Sequence, residues 1–285
     1  MDYMEKYTDW CTNNVFDEET RKEVLALKGD EKEIEDRFYK ELEFGTAGMR
    51  GIIGAGTNRI NIYTIGRATQ GVANYLIKKG NSDKGVVISY DSRIMSKEFS
   101  EYTALCLNAN GIKTYIFDEL KPIPELSFTI RNLQTAAGIM ITASHNPPEY
   151  NGYKVLLDDG AQFTDDRVVE EVNGITNYSM VKKIAKKIAI EQGLYNVIGK
   201  QADDKYIEEI KKLILNADLV KRIAPQIKIV YTPLNGAGRV LVERVLKEIG
   251  FTEVHVVKEQ AMPDRQIPNI RISKSRRSKS IYFGS

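Results

Sequence analysis

The chain has 285 residues, of which 42% are hydrophobic and 28% are charged, as expected for a globular protein of about two domains. A formal net charge of +2 favours neither a nucleic-acid nor a membrane partner, and no apolar run approaches the ~20 residues of a membrane helix. Two cysteines, Cys11 and Cys106, suit neither a disulfide framework nor a metal site, so we expect a reducing cytoplasm.

The first 42 residues predict a helical extension. Apolar residues such as Ile34, Phe38 and Leu42 recur at spacings that one face of a helix accommodates. A glycine-rich segment at 44–51 then breaks the pattern, and a further helix is predicted over residues 62–79, ending at Gly80.

From residue 86 the pattern alternates between buried strands and helices. The predicted strands are 86–90, 113–117, 138–142 and 153–157, and the predicted helices between them are 96–110 and 124–132. This alternation indicates a layered α/β domain.

A second α/β unit is predicted after residue 200. Its predicted elements are a helix at 206–215, a strand at 227–231, a helix at 237–249 and a strand at 254–257. The segment 180–200 before it is expected to be a solvated helix or connector; a basic membrane helix is the alternative. The last twenty positions are rich in basic residues and serines. Such a tail can be a nucleic-acid-binding arm, but the balanced overall charge of the chain disfavours that interpretation.

The strongest chemical signal is the segment 138–147, in which a buried strand leads into Thr-Ala-Ser-His-Asn-Pro. A serine at a strand end, followed by a histidine and closed by prolines, is a reasonable nucleophile site. The same composition is also typical of an ordinary turn.

The complete string 142–147 resembles the phosphoserine loop of the α-D-phosphohexomutases, the family of phosphoglucomutase and phosphomannomutase. Other segments match the family in the expected order: Phe-Gly-Thr-Ala-Gly-Met-Arg-Gly (44–51), Tyr-Asp-Ser-Arg (90–93), Asn-Gly-Tyr-Lys (151–154) and Thr-Pro-Leu-Asn-Gly-Ala-Gly (232–238). The first of these, with the helical N-terminus, is most similar to the phosphoglucomutase and phosphopentomutase branch. The resemblance implies α/β domains with mixed, mainly parallel sheets.

The resemblance implies catalytic roles for four residues. Ser144 would carry the phosphate, and His145 would contact the substrate or move a proton. Lys154 would act as general acid or base, or as a phosphate contact, and Arg50 would offer its fork of donors to phosphate. The structural alternatives are a loop histidine and a surface lysine.

The resemblance also implies phosphate or substrate contacts at Thr46 and Gly48 in the glycine-rich loop, and at Arg93 and Asn146. Backbone N–H groups in such a loop can approach an anion closely, although turns use glycine for their own reasons. An Asp-Ser pair before a helix is also an ordinary N-cap, which is the alternative for the Arg93 segment.

Family members bind Mg²⁺ through three aspartates in an Asp-x-Asp-x-Asp-Arg pattern, which is absent from this sequence. Ser144 would then supply a single metal ligand, a phosphate oxygen. The resemblance implies this division: 1–42 helical extension, 43–195 first family domain with the phosphoserine loop, 196–262 part of the second domain, and 263–285 a basic tail outside the family pattern, attributed to truncation or a frame shift.

The implied activity is interconversion of glucose 1-phosphate and glucose 6-phosphate through a phosphoserine and a bisphosphate, with glucose 1,6-bisphosphate as activator. Mannose or pentose phosphates are alternative substrates. We expect weak or no activity from this chain alone; the alternative is a non-catalytic phosphoprotein or a sugar-phosphate-binding fragment. The expected partners are small sugar phosphates, and the oligomeric state stays open.

Overall fold

A six-stranded sheet with helices on both faces forms the first α/β unit, and a strand pair forms the second. The computed structural model describes residues 2–45, 48–163 and 166–264. The described helices are α1 (Tyr3–Thr12), α2 (Glu18–Leu25), α3 (Glu31–Phe38), α4 (Ile62–Lys78), α5 (Ser96–Ala109), α6 (Ile123–Leu133), α7 (Asp166–Asn173), α8 (Lys186–Glu191), α9 (Lys200–Lys212), α10 (Ala217–Ile223) and α11 (Arg239–Glu248). The described strands are β1 (Met49–Ile52), β2 (Val86–Tyr90), β3 (Thr114–Phe117), β4 (Ala137–Ile141), β5 (Tyr150–Leu157), β6 (Tyr195–Ile198), β7 (Lys228–Tyr231) and β8 (Glu253–Val256).

The six-stranded sheet has the order β1-β5-β4-β2-β3-β6. Strands β4, β2, β3 and β6 are parallel, whereas β5 runs antiparallel to both β4 and β1. The predicted layered α/β fold with a mixed, mainly parallel sheet is therefore confirmed.

Every residue of β2 and β4 is buried, because helices cover both faces of the sheet. Along β2, Ile88 belongs to the core under α4 and α5, and Val87 belongs to the core under α6. This alternation follows from the two-residue repeat of a strand.

An aromatic cluster joins the N-terminal helices to the first α/β unit. Trp10 of α1 stacks on Phe16 with ring centroids 4.2 Å apart, and it meets Phe38 of α3 and Tyr63 of α4 edge to face. All four side chains are buried. The predicted helical extension is therefore three short helices that pack as a cap on α4.

Two strands were missed by the sequence prediction, and both are short. Strand β1 overlaps the end of the glycine-rich segment, and β6 lies within the stretch expected to be helix or connector. Strand β6 pairs with β3, so the first sheet reaches Ile198, three residues beyond the expected boundary at 195. The domain boundaries themselves stay predictions.

The second unit contains β7 and β8, a parallel pair joined through α11. Its predicted helices and strands lie within a few residues of the expected positions, except that α9 begins at Lys200. None of the described helices combines the length and apolar character needed to cross a bilayer. The predicted basic tail lies outside the described residues from position 265 onward.

Replacing Trp10 with alanine is expected to lower the free energy of unfolding by about 3–5 kcal/mol, because a large buried ring leaves a cavity among aromatic neighbours. Urea unfolding followed by circular dichroism measures the loss. The matched control is Leu25→Ala on α2, whose side chain is 50% exposed, and it should cost less than about 1 kcal/mol. Equal losses in the two variants would contradict the packing assignment.

Candidate active site

Four motif segments meet at one end of the six-stranded sheet. Tyr90 pairs with Ile141 at the carboxyl ends of the parallel strands β2 and β4, so the loops that begin at Asp91 and Thr142 start side by side. The backbone N–H of Asp91 donates to the carbonyl of Ile141 at 3.2 Å. The next strand, β5, returns along β4, because eight residues are too few for a parallel crossover.

Strand β5 carries the Asn-Gly-Tyr-Lys segment past this end of the sheet. Lys154 lies opposite Met140 on β4, and Gly152 lies opposite Arg50 on β1. A Cβ atom at Gly152 would lie 2.7 Å from the carbonyl oxygens of Met49 and Thr142. Glycine at this position therefore lets three chain segments approach one another.

The nucleophile candidate, Ser144, is exposed and adopts a left-handed backbone conformation with φ of 56°. Its N–H donates to Oγ1 of Thr142 at 2.9 Å, and that hydroxyl donates to Oδ2 of Asp91 at 2.6 Å. A non-glycine residue in this conformation is uncommon and requires support from its surroundings. The loop thus presents the Ser144 side chain to solvent in a constrained conformation.

The guanidinium of Arg93 is bound to the backbone of the serine loop, and only 3% of the residue is exposed. Its N–H groups donate to the carbonyl oxygens of Ser144 at 2.8 Å, Asn146 at 2.6 Å, Pro147 at 2.9 Å and Tyr150 at 3.0 Å. Burial lowers the pKa of Arg93, and the nearby Asp91 carboxylate opposes that effect. These described contacts position the loop; a direct phosphate contact by Arg93 stays a prediction.

Asp91 was not among the predicted site residues, although it lies in the Tyr-Asp-Ser-Arg motif. Besides the bond from Thr142, its Oδ1 accepts from the N–H of Arg93 at 3.0 Å and from the hydroxyl of Ser96 at 2.8 Å. The carboxylate therefore joins the two loops. An acidic residue directly after a buried strand was the available signal, but its partner Thr142 lies 51 residues away.

The predicted residues His145 and Asn146 directly follow Ser144 in the chain. Nδ1 of His145 lies 3.3 Å from Oγ of Ser144, and both side chains are exposed. Oδ1 of Asn146 accepts from a terminal guanidinium N–H of Arg50 at 2.6 Å. This bond joins the glycine-rich segment to the serine loop; the roles of these residues in a site stay predictions.

Lys154 is half-buried on β5. Its pKa is lowered chiefly by burial and further by the positive charge of Arg50, while Asp91 acts in the opposite direction. A lysine with a lowered pKa is better suited to proton transfer than one in water. The predicted acid–base role of Lys154 is compatible with this environment.

The described part of the glycine-rich loop packs directly on β5. Gly48 has φ of 82°, and a Cβ atom there would collide with the carbonyl oxygen of Tyr153. Thr46, the other predicted contact in this loop, lies outside the described residues. A cleft of about 530 Å³ opens beside the loop, and its lining includes Gly48, Arg50 and Arg59.

Within residues 2–45, 48–163 and 166–264, no group of three or more His, Cys, Asp or Glu side chains could hold a metal ion. The described residues thus do not fit a complete Mg²⁺ site. Ser144 as a ligand through its phosphate oxygen stays a prediction.

Comparison with known proteins identifies the family of this chain. The family model described as phosphoglucomutase/phosphomannomutase, alpha/beta/alpha domain I, matches residues 41–180, and the corresponding domain II model matches residues 204–281. The second match extends into the predicted basic tail. This chain belongs to the α-D-phosphohexomutase family, in its phosphoglucomutase/phosphomannomutase group.

Among its relatives, the phosphoglucomutase of Staphylococcus haemolyticus is 40% identical over 240 residues, covering 83% of this chain and 42% of that protein. The phosphoglucomutase of Staphylococcus saprophyticus is 35% identical over 257 residues, covering 89% and 46%. The chain thus spans less than half the length of these relatives. A solved structure from Thermus thermophilus, assigned as a phosphomannomutase, shares the fold with a TM-score of 0.66 and 23% identity, covering 81% of this chain and 48% of the other.

Replacing Arg93 with lysine is expected to destabilise the serine loop, because an ammonium cannot reproduce the planar fork that serves four carbonyls. We expect a loss of about 2 kcal/mol in the free energy of unfolding, with faster hydrogen exchange at the Ser144 amide. Arg131→Lys, an exposed position on α6, is the control and should change neither quantity. An unchanged exchange rate at Ser144 would exclude the positioning role.

Proposed function

We propose that Ser144 carries the transferred phosphate in a sugar phosphomutase reaction. One observation carries the proposal: an exposed serine hydroxyl lies on a loop that buried Arg93 and the Asp91–Thr142 pair hold in one conformation. Phosphoryl transfer depends mainly on positioning and on charge neutralisation around the phosphate. A preformed loop reduces the entropic cost of reaching the reactive geometry.

In the first step of the proposed reaction, a sugar hydroxyl oxygen attacks the phosphorus of phosphorylated Ser144. A new P–O bond forms to the sugar while the bond from phosphorus to Oγ breaks, and the hydroxyl proton passes to a base. Oγ then takes up a proton, for which we assign Nδ1 of His145, 3.3 Å away. The return step is the same transfer in the opposite direction. Oγ attacks the phosphorus of the other phosphate of the bisphosphorylated sugar, the bond from that phosphorus to the sugar oxygen breaks, and the sugar oxygen takes up a proton. The sugar then leaves as a monophosphate.

Two basic side chains are proposed to serve the phosphate and the sugar. Arg50 is exposed and its guanidinium donates a hydrogen bond to the side chain of Asn146, so it lies beside the serine loop. Lys154 has a lowered pKa and is assigned the acid–base role at the sugar hydroxyl. Both residues sit on paired strands, which hold functional groups more rigidly than loops do.

We propose glucose 1-phosphate and glucose 6-phosphate as the substrate pair and glucose 1,6-bisphosphate as the activator, because the relatives at 35–40% identity are named phosphoglucomutases. Mannose and pentose phosphates are the alternatives.

Mg²⁺ is a family expectation, and the proposed phosphate transfer is written without it. A reducing cytoplasm is also proposed, supported by the free thiols of Cys11 and Cys106.

Incubation with glucose 1,6-bisphosphate is expected to add one phosphate to the purified chain, measured as intact mass. Ser144→Ala should abolish the gain, whereas Ser179→Ala, an exposed serine elsewhere, should retain it. A mutase assay with Mg²⁺ then separates the two functions considered: phosphate gain without turnover indicates the non-catalytic phosphoprotein. Phosphate on Ser144→Ala, or none on the unmodified chain, would refute the proposed nucleophile.

Replacing Arg50 with alanine is expected to raise the pKa of Lys154 toward its ordinary value, because one cause of its lowering is removed. Titration of the lysine side chain by NMR measures the change directly. If Lys154 acts as a proton donor, the alkaline limb of the activity profile should also move to higher pH. The control is Lys40→Ala, which removes another cation from the cleft that Arg50 lines. A Lys154 pKa that stays constant in Arg50→Ala would contradict the assignment.

A further inference from the structure

A second group of buried ionisable side chains lies between α6 and α9. Lys121, Glu125 and Asp203 are only 1%, 0% and 8% exposed. Nζ of Lys121 donates to Oδ2 of Asp203 at 2.8 Å and to Oε1 of Glu119 at 2.9 Å. Buried charges require partners because the interior solvates them poorly.

The cluster has fewer donors than its carboxylates need. Both side-chain oxygens of Glu125 and Oδ1 of Asp203 have no hydrogen-bond partner. An ionised carboxylate can only accept hydrogen bonds. With both acids ionised, the buried group of Lys121, Glu125 and Asp203 would carry a net negative charge and three unsatisfied oxygens. A proton on Glu125 removes the excess charge of this group and gives it one further hydrogen-bond donor.

The surroundings of Glu125 favour its protonated form. Burial raises the pKa of Glu125 to about 8, and the negative charge of Asp203 adds to the effect. The strands beneath α6 contribute apolar side chains such as Val87 and Met140. The titratable groups that act on Glu125 come from two elements: Glu119 and Lys121 of the β3–α6 loop, and Asp203 and Tyr206 of α9. Tyr90 of β2 faces Glu119 and Lys121 of the same group.

Helix α9 connects this cluster to the second α/β unit. On one side, the ring of Tyr206 lies 5.5 Å from that of Phe128 on α6. On the other side, Asp204 pairs with Arg244 of α11 at 2.6 Å, and a second ion pair joins Lys211 to the same helix. Movement of α9 away from α6 would therefore move α11 as well.

We propose that buried Glu125 retains its proton beside Asp203 and so forms a pH-sensitive latch that holds α9, and with it the second α/β unit, on the first. The proposal does not depend on the proposed enzymatic function. Detachment of α9 would expose Glu125 to water and return its pKa toward the ordinary value of 4.5. Because the docked state has the higher pKa, the stabilisation is complete below pH ~4.5 and is lost as the pH rises through about 8.

Hydrogen exchange of the α9 amides in the full chain tests the latch, after correction for the intrinsic pH dependence of exchange. The equilibrium constant for α9 opening is expected to increase by roughly tenfold or more between pH 5 and pH 8. Glu125→Gln retains a donor for Asp203 and should remove this pH dependence. The control, Glu119→Gln, changes the exposed carboxylate on the same lysine and should retain it.

A second measurement keeps the test independent of whether Glu125→Gln folds. The infrared carbonyl band of a protonated carboxylic acid should be present in the unmodified chain at pH 7. It should be weakened in Asp203→Asn, because loss of the Asp203 charge lowers the pKa of Glu125. An absent band, or equal α9 opening at pH 5 and pH 8 in the unmodified chain, would overturn the proposal.

Discussion

The candidate active site depends on one buried guanidinium. Arg93 donates to three carbonyl oxygens of the loop that carries Ser144 and to that of Tyr150 at the start of β5, and those bonds replace the regular pairing that an irregular segment lacks. Asp91 completes the arrangement by bonding the Thr142 hydroxyl that accepts from the Ser144 amide. An uncommon backbone conformation at Ser144 is thus sustained by contacts from a neighbouring loop.

The sheet explains why these loops are neighbours. Adjacent parallel strands end at the same level, so the segments that follow β2 and β4 meet at one edge. The antiparallel return of β5 then brings Lys154 and Gly152 alongside, and β1 adds Arg50. Cation, serine and histidine are brought together by strand pairing, and the adjoining helices supply the apolar cores that keep the sheet rigid.

The second α/β unit is attached through different physical chemistry. Its contact with the first unit includes a buried group of opposite charges around Lys121, as well as a hydrogen bond from the Ser92 hydroxyl to the carbonyl of Asn235. The latter joins the Thr-Pro-Leu-Asn-Gly-Ala-Gly loop to the segment that contains Arg93. The position of the second unit is therefore structurally linked to the residues that support the serine loop.

The sequence by itself determined the layered α/β class, most helices and strands, and the serine loop, because these rest on local periodicity and on contiguous motifs. Only the tertiary structure showed that Asp91 belongs to the site, that Arg93 bonds carbonyls of the serine loop, and that β1 and β6 extend the sheet. These features depend on partners far apart in the chain; the bond between Thr142 and Asp91 spans 51 residues. A residue's local sequence predicts its backbone tendency, whereas its hydrogen-bond partners are decided by which strands pair.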